Sequence, residues 1–453
     1  MRKNGVYDFL IEDIEFPAEG IAICEDKKVY IKGTVPGQKV TARITKKRED
    51  YAKAKLLCVK ENIPEAIEPA CPDFGNCGGC IYQFLTYEDQ LKLKEKQVLN
   101  LFKKAGIDGF KYEGILGSPE VFEYRNKMEY TFGDVKKDGE LTLGLHGKNS
   151  GFSIIDTNNC KIVDEDFNTI LDTVVTYFRE KQLPYYKVLK HTGYLRNLVV
   201  RKAKHTGEIL IGIVTTSQVD FDLSEIAAKL ENINYKGILK GILHIVNDGL
   251  ADMVRADKIN VLFGQDYITE NLLGLKFKIS PFSFFQTNSK GAERLYSTAM
   301  EFLGDASNKT VFDLYCGTGT IGQLAASSAK KVIGIELVEE AVEAAKENAA
   351  FNNISNCTFI AGDVAKVITE LRDKPDAIIL DPPRPGVHPS AMRYVIEFNA
   401  PTIVYVSCNP KTLVNDLGVL IAKGYGVEKV KVVDMFPATG HVETVVLLQR
   451  KTI

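Results

Sequence analysis

The chain has 453 residues, of which 45% are hydrophobic and 26% are charged; this length predicts two or three domains, and the composition is typical of soluble globular proteins. No apolar run approaches the roughly 20 residues of a membrane-spanning helix, and Met1–Asp8 lacks the apolar segment of a secretory signal, so we expect a cytoplasmic protein without membrane association. The net charge of −2 excludes a globally basic surface, and nucleic-acid binding would depend on local basic patches.

Short strands separated by glycine turns predict a small β-barrel over residues 1–60. The candidate strands are 21–23, 29–31, 39–44 and 54–57. Residues 39–60 contain eight lysines and arginines but only two acids. This run is either a solvated hairpin or a phosphate-binding surface with Tyr51 as a stacking residue. With Gly20 and the turn at Pro36-Gly37, the basic strand resembles a TRAM domain, an RNA-binding barrel.

Four cysteines form the second feature, and three of them lie in a glycine-rich loop over residues 71–80. They are Cys71, Cys77, Cys80 and, much later in the chain, Cys160. Glycines let a backbone wrap around a metal, and four thiolates suit either tetrahedral zinc or an iron–sulfur cluster. The spacing does not separate these alternatives, although the CxxxCxxC signature of radical chemistry is absent. Cys24, Cys58 and Cys357 have no such context and are expected to be structural.

The middle of the chain mixes helices and strands. A helix is predicted over Tyr87–Ala105, and strand-like runs such as 198–201 and 209–214 alternate with turns and one helix near 164–182. We therefore expect an α+β domain over residues 61–278 that carries the four cysteines.

From about residue 280 the pattern changes to strands that alternate with helices. The predicted helices are 288–303, 320–328 and 338–351, and the predicted strands are 309–314, 331–336, 357–360, 376–380, 402–406, 428–434 and 443–449. This alternation predicts a doubly wound, largely parallel α/β sheet of the Rossmann type over residues 279–453.

A glycine turn, Tyr315–Gly319, follows the first strand of this sheet. Its two glycines would let a ligand approach the backbone, but they do not complete the GxGxxG of a dinucleotide site. Glu336 ends the next strand, where a carboxylate can accept hydrogen bonds from both ribose hydroxyls, and Asp363 ends a third strand, where it could face adenine. The set resembles class I S-adenosylmethionine-dependent methyltransferases; the alternative is a generic nucleotide site. Cys316, inside the turn, is more typical of a packing residue.

A cysteine at the end of a later strand has the position of a nucleophile. Cys408 follows strand 402–406, and Asp381-Pro382-Pro383-Arg384 follows the strand before it, where the prolines stiffen the loop. A buried structural thiol is the alternative interpretation of Cys408. Further along, His441 and Glu443 supply two possible bases.

These motifs resemble those of the RNA uracil-C5 methyltransferase family. The matches are Gln286, Asp313–Gly319, Asp381–Gly386, Ser407–Pro410 and Asp434–Glu443. The resemblance implies that Cys408 is the nucleophile, that Glu443 is the base, with His441 an alternative by residue type, and that Asp381 helps to hold the base and the cofactor region. It also implies S-adenosylmethionine bound by Gln286, Tyr315 and Glu336, with Asp363 and Asp381 beside it, and a [4Fe–4S] cluster in preference to zinc at the four cysteines.

The resemblance leaves the RNA target open. A TRAM-like barrel together with a cysteine cluster is similar to the enzymes that act on large-subunit (23S) ribosomal RNA; tRNA is the alternative target, and an RNA-folding factor is the alternative function. Tyr124–Lys127 and His146–Ser150 are either solvated turns or RNA contacts, and the first resembles a family element near the substrate. No obligate protein partner is inferred.

Overall fold

The computed structural model describes residues 1–148, 150–251 and 254–451. Its N-terminal part is a six-stranded sheet in the order β1-β5-β6-β4-β3-β2. The strands are β1 (Val6–Leu10), β2 (Asp13–Glu15), β3 (Glu19–Cys24), β4 (Lys27–Lys32), β5 (Lys39–Lys47) and β6 (Tyr51–Glu61). Every second residue of β5 up to Ile44 is buried, so its basic side chains lie on the outer face.

Several of these basic side chains are paired on the barrel surface. Lys39 contacts Glu61 at 2.7 Å and Lys60 contacts Asp8 at 2.5 Å. The basic run therefore lies on the outer face of the barrel, and phosphate binding by this surface stays a prediction.

A helix, α1 (Tyr87–Lys104), and a strand, β7 (Lys111–Leu116), follow the cysteine loop. The central part is a seven-stranded sheet in the order β10-β9-β8-β11-β12-β13-β14, with a separate hairpin β15-β16. Its elements are β8 (Lys127–Gly133), β9 (Thr142–Gly147), β10 (Ser150–Asp156), α2 (Glu165–Lys181), β11 (Leu195–Lys202), β12 (Glu208–Thr215), α3 (Ser224–Glu231), β13 (Ile238–Val246), β14 (Lys258–Gly264), β15 (Ile268–Leu272) and β16 (Leu275–Ile279). This confirms the predicted α+β character.

The C-terminal part is an eight-stranded sheet in the order β19-β18-β17-β20-β21-β23-β22-β7. Its elements are α4 (Ser289–Leu303), β17 (Thr310–Leu314), α5 (Thr320–Ala326), β18 (Lys331–Glu336), α6 (Glu339–Phe351), β19 (Cys357–Ala361), α7 (Val364–Glu370), β20 (Ala377–Leu380), α8 (Pro389–Glu397), β21 (Thr402–Ser407), α9 (Pro410–Ala422), β22 (Tyr425–Val433) and β23 (Glu443–Arg450). All residues of β20 and β21 are buried, as expected of strands covered on both faces. The Rossmann-like prediction is confirmed.

Two features of this sheet differ from the expectation. The helices α7, α8 and α9 were not predicted. In α8 and α9 the prolines Pro389 and Pro410 occupy a first-turn position, which tolerates proline. In addition, β7 pairs in parallel with β22, and Val98 and Phe102 of α1 pack into the core of this sheet. The chain before residue 117 thus supplies elements to the C-terminal sheet, while the division at residues 60 and 278 stays a prediction.

Within the described residues, no helix combines the length and the apolar character needed to cross a membrane.

Candidate active site

The site residues predicted from the sequence meet at one edge of the C-terminal sheet. Tyr315, Asp381 and Cys408 directly follow the parallel strands β17, β20 and β21, and Glu336 is the last residue of β18. Glu443 opens β23, which runs antiparallel to β21 with Ser407 opposite Thr444, so that Glu443 and Cys408 lie at the same edge. Carboxyl ends of parallel strands are the usual ligand sites of such sheets.

The glycine turn needs an unusual backbone. Tyr315, Gly317 and Gly319 have φ values of 67°, 53° and 74°, in the left-handed region. A Cβ at Gly319 would lie 2.6 Å from the ring of Phe359, so no other residue fits there without a shift. Gly317 N–H donates to Glu336 Oε2 at 3.1 Å, which ties the turn to the next strand.

The other predicted cofactor residues differ in exposure. Asp363 is exposed, and its Oδ1 accepts the N–H of Ala365 at 2.8 Å as the cap of α7. Gln286 is half-buried and its side chain bonds the buried Tyr296. Cys316 is 9% exposed and packs on Phe359, which confirms its interpretation as a packing residue.

Two buried residues, Arg201 of β11 and Asn126 just before β8, hold the segment that carries Gln286, and sequence reasoning missed their role. Arg201 Nε donates to Pro281 O at 3.0 Å, and Asn126 Nδ2 donates to Gln286 O at 2.9 Å. Asn126 belongs to the stretch Tyr124–Lys127, in which Tyr124 and Asn126 are buried and make hydrogen bonds to distant backbone oxygens, whereas Arg125 and Lys127 line the groove beside the cysteine loop. In the second stretch, Asn149 lies outside the described residues.

The loop after β20 is fastened to the start of α9. Asn409 Nδ2 and Thr412 Oγ1 donate to Arg384 O at 2.9 and 3.1 Å. Asp416 accepts Val387 N–H at 2.9 Å. The two loops that bear Asp381 and Cys408 therefore form one unit.

The charges around Cys408 oppose its ionisation. Burial, followed by smaller effects of the Glu443 and Asp381 carboxylates, raises the pKa of the half-exposed Cys408 thiol to about 11. Arg384 lowers the Cys408 pKa, but it does not offset the burial. A thiolate at this position needs a neighbouring proton acceptor.

The neighbouring carboxylates are suited to take up protons near neutral pH. Burial raises the pKa of Asp381 to about 7. Glu443 is 3% exposed, and burial, followed by the Asp381 charge, raises its pKa well above the ordinary value. Burial lowers the pKa of His441 to about 4, so its imidazole is neutral and a weaker base than Glu443.

Asp313 is a buried acid that sequence reasoning did not single out. It is fully buried, and within the described residues neither carboxylate oxygen makes a well-formed hydrogen bond. Burial, with a smaller effect of the Asp381 charge, raises the pKa of Asp313 to about 7. Folding must therefore protonate this group or bury its charge.

We expect Asp313→Asn to remove part of the pH dependence of stability. The pKa of Asp313 in the folded protein, about 7, exceeds the ordinary aspartate value of 3.8. The contribution of Asp313 to the free energy of unfolding is therefore fully present below its ordinary pKa. It is lost as the pH rises through its folded-state pKa, and the total loss is on the order of 4 kcal/mol. Melting temperatures of the ligand-free protein at roughly pH 5 and pH 8 measure this effect. The melting temperature of the Asn variant, relative to that of the wild type, should be higher at roughly pH 8 than at roughly pH 5. The exposed Asp266→Asn is the control; the same pH dependence in wild type and both variants would contradict the assignment.

The four cysteines predicted as ligands are neighbours in space. Burial raises the pKa of Cys80 to about 12 and that of Cys160 to about 11, with smaller contributions from the other thiols of the set. All nine cysteines are free thiols. Within residues 1–148, 150–251 and 254–451, no group of three or more His, Cys, Asp or Glu side chains is arranged to hold a metal ion.

The cysteine loop touches the segment that leads to Glu443. The backbone N–H groups of Ile81 and Tyr82 donate to Ala438 O at 2.7 and 2.9 Å. The two candidate sites are therefore joined by backbone hydrogen bonds.

Comparison with known families shows to which family the chain belongs. The model of the tRNA (uracil-5-)-methyltransferase family matches residues 86–451. The chain belongs to this family. It is an S-adenosylmethionine-dependent RNA methyltransferase, as the resemblance implied, and a TRAM domain model matches residues 3–57, which confirms the N-terminal barrel.

Relatives and a solved structure agree with this membership. An uncharacterized RNA methyltransferase of Clostridium acetobutylicum is 75% identical over 453 residues, covering 100% of this chain and 99% of the relative. One of Caldanaerobacter subterraneus is 51% identical over 450 residues, covering 99% and 100%. The crystal structure of Pyrococcus abyssi tRNA (uracil-54, C5)-methyltransferase with S-adenosyl-L-homocysteine has a TM-score of 0.77 at 25% identity, covering 97% of this chain and 98% of that one.

Proposed function

We propose that this methyltransferase acts on C5 of a uridine through a covalent bond between Cys408 and C6 of the base. The observation that carries the proposal is the meeting of a strand-end thiol with the carboxyl groups of Asp381 and Glu443 beside the glycine turn. A thiol, a raised-pKa base and a nucleotide turn at one sheet edge match the needs of this reaction.

The residue types follow from the chemistry of uracil. C5 is a poor nucleophile, so the Cys408 sulfur, after losing its proton to a nearby carboxylate, first forms a bond to C6 and makes C5 an enolate carbon. C5 then forms a bond to the methyl group as the donor's carbon–sulfur bond breaks. Glu443 takes the C5 proton, the bond between sulfur and C6 breaks, and the thiolate is released.

The methyl donor fits the strand-end residues. Glu336 lies beside the turn at a strand end, where its carboxylate can accept hydrogen bonds from ribose hydroxyls. The glycines with positive φ let a ligand approach the backbone of the turn closely. S-adenosylmethionine would be held by Gln286, Tyr315, Glu336, Asp363 and Asp381, and it supplies a methyl group on a sulfonium. Arg384 lowers the pKa of both Cys408 and Glu443 and so favours their ionised forms.

A groove beside the active site suits single-stranded RNA. It has a volume of about 1200 Å³ and runs between the barrel, the cysteine loop and the central sheet to His441, two residues before Glu443. Basic side chains on its wall, among them Lys32, Arg125 and Lys148, suit phosphates. Because C6 of a stacked base is inaccessible, the target uridine would enter as a flipped or loop nucleotide.

Large-subunit ribosomal RNA is the target that we propose, because the chain combines a TRAM barrel with four clustered cysteines. A second candidate is tRNA, which the names of the family model and of the Pyrococcus enzyme favour. Labelled methyl transfer to unmodified ribosomal RNA and, separately, to unmodified tRNA, followed by nucleoside mapping, tests both. 5-Methyluridine in a large-subunit fragment is the expected result; label only in tRNA would overturn the target, and label in neither would favour an RNA-folding role.

We further propose that Cys71, Cys77, Cys80 and Cys160 bind a [4Fe–4S] cluster, with zinc as the alternative. Support comes from the chemistry of the donors, since Gly79 N–H lies 3.4 Å from Cys77 Sγ and the Ile162 and Val163 N–H groups face the Cys160 sulfur, and such amide donors favour thiolates. Four protein ligands leave no iron open to substrate, so the role would be structural.

We expect Cys160→Ser to lose bound iron and to melt at a lower temperature. The measurements are metal content, visible absorption and the melting temperature of the purified protein. Cys58→Ser, at an exposed position on the barrel, is the matched control and should change neither. Unchanged iron and melting in the Cys160 variant would reject the cluster assignment, and zinc in place of iron would select the alternative.

A further inference from the structure

The segment that carries Glu443 into the site, residues 434–442, is held along its backbone by distant parts of the chain. We call it the base loop. Four consecutive carbonyl oxygens each accept a bond from another element. They are Met435 O from Asn288 Nδ2 (2.9 Å), Phe436 O from Lys94 Nζ (2.9 Å), Pro437 O from Tyr124 OH (3.0 Å), and Ala438 O from the N–H groups of Ile81 (2.7 Å) and Tyr82 (2.9 Å).

Lys94 stands out among these partners because it is a buried charge. Its side chain is 1% exposed and its Nζ lies 2.7 Å from Asp434 Oδ1, on a carboxylate that is 0% exposed. The same Asp434 oxygen accepts the N–H of Phe436 at 3.0 Å. One ammonium thus binds both the first residue of the base loop and the carbonyl two residues later.

Stability alone does not account for this pair. Removing two charges from water costs several kcal/mol for each ion, and well-packed apolar residues often replace such a pair without loss. A second polar residue on the buried face of α1 also contacts the base loop, because Gln90 Oε1 accepts Ala438 N–H at 2.7 Å. Gln97, on the same face, instead accepts Ala18 N–H at 3.1 Å. Gln90 and Lys94 are therefore the residues by which α1 holds the base loop.

We infer that Lys94 is a positioning residue for the proton-abstraction step: by binding Asp434 and the Phe436 carbonyl, it holds the base loop so that Glu443 reaches the C5 proton. The inference rests on the proposed function, in which Glu443 is the base. Cys408 is positioned independently, by β21 and by the bonds of Asn409 and Thr412 to Arg384. Loss of Lys94 should therefore slow the step after methyl transfer and leave adduct formation intact.

The test follows the covalent enzyme–RNA adduct on denaturing gels during single-turnover reactions. Lys94→Met should form the adduct at close to the wild-type rate but resolve it about tenfold to hundredfold more slowly, the scale for a base displaced by about 1 Å. Lys92→Met is the matched control on the same helix, because Lys92 is 64% exposed and, among the described residues, its ion pairs are with Glu88 and Asp89 of the same helix. Glu443→Gln is the benchmark for a fully blocked base.

Each outcome decides the matter. An adduct that persists in Lys94→Met but not in Lys92→Met supports the positioning role. If the adduct persists in Glu443→Gln but not in Lys94→Met, the positioning role of Lys94 is overturned and the proposed function stands. If the adduct persists in neither Glu443→Gln nor Lys94→Met, the positioning role and the proposed function are both overturned. If Lys94→Met does not fold, Lys94→Met/Asp434→Asn, which buries no unpaired charge, is measured in its place with the same expectation, because it also lacks the bond to Phe436.

Discussion

We expect Cys408→Ala to lose methyl transfer to RNA by roughly 10⁴-fold or more, the scale for loss of a covalent nucleophile. Without the sulfur, C6 gains no substituent and C5 stays too electron-poor to accept the methyl group. Cofactor binding should survive, because Glu336 and the glycine turn lie on other strands. Labelled methyl transfer and calorimetric binding of S-adenosylmethionine measure the two effects.

The matched control is Cys58→Ala, on the exposed face of the barrel, which should retain full transfer. Methylation that persists in the Cys408 variant would eliminate the thiol mechanism. Loss of both methylation and cofactor binding would instead indicate a damaged fold.

Glu443→Gln is expected to have the second-largest effect and the opposite signature. The amide cannot take the C5 proton, so the sulfur cannot leave, and the enzyme should stall as a methylated covalent RNA adduct that survives denaturation. A gel shift, with the mass of the trapped nucleotide, detects it. The pKa of Glu443 lies well above its ordinary value because of burial, which makes the ionised form a strong base once it is formed.

Glu428→Gln, an exposed acid on the neighbouring strand β22, is the matched control and should turn over normally. Normal turnover in the Glu443 variant would move the base to another residue. His441→Ala would then be the next variant to measure, although its low pKa makes it the weaker candidate.

Sequence reasoning located the strand-end residues because their positions follow from local pattern. A buried strand such as β20 or β21 is a largely apolar run, and the residue directly after it, Asp381 or Cys408, must lie at the ligand edge of the sheet. The same logic identified Glu336.

The residues that hold the site could not be found in this way. Arg201 and Asn126 act on backbone oxygens at distant positions, and such contacts leave no periodic trace in the chain. Lys94 is part of a weak sequence pattern, because Gln90, Lys94 and Gln97 are spaced so that they share one face of a helix. A polar helix face is usually exposed to solvent, so this pattern did not indicate a buried role. Asp313 lies within a matched motif, but the motif gives no sign that its carboxyl group is fully buried, which the structure shows.

The pairing of β7 with β22 has a consequence for the architecture as a whole. The chain enters the C-terminal sheet at β7, leaves it to build the central sheet, and returns at α4. In topological terms the central sheet is an insertion within the methyltransferase fold, tethered at both of its ends. A fragment cut at residue 279 would leave one edge of β22 without its partner strand, so the complete eight-stranded sheet draws on two separate stretches of the chain.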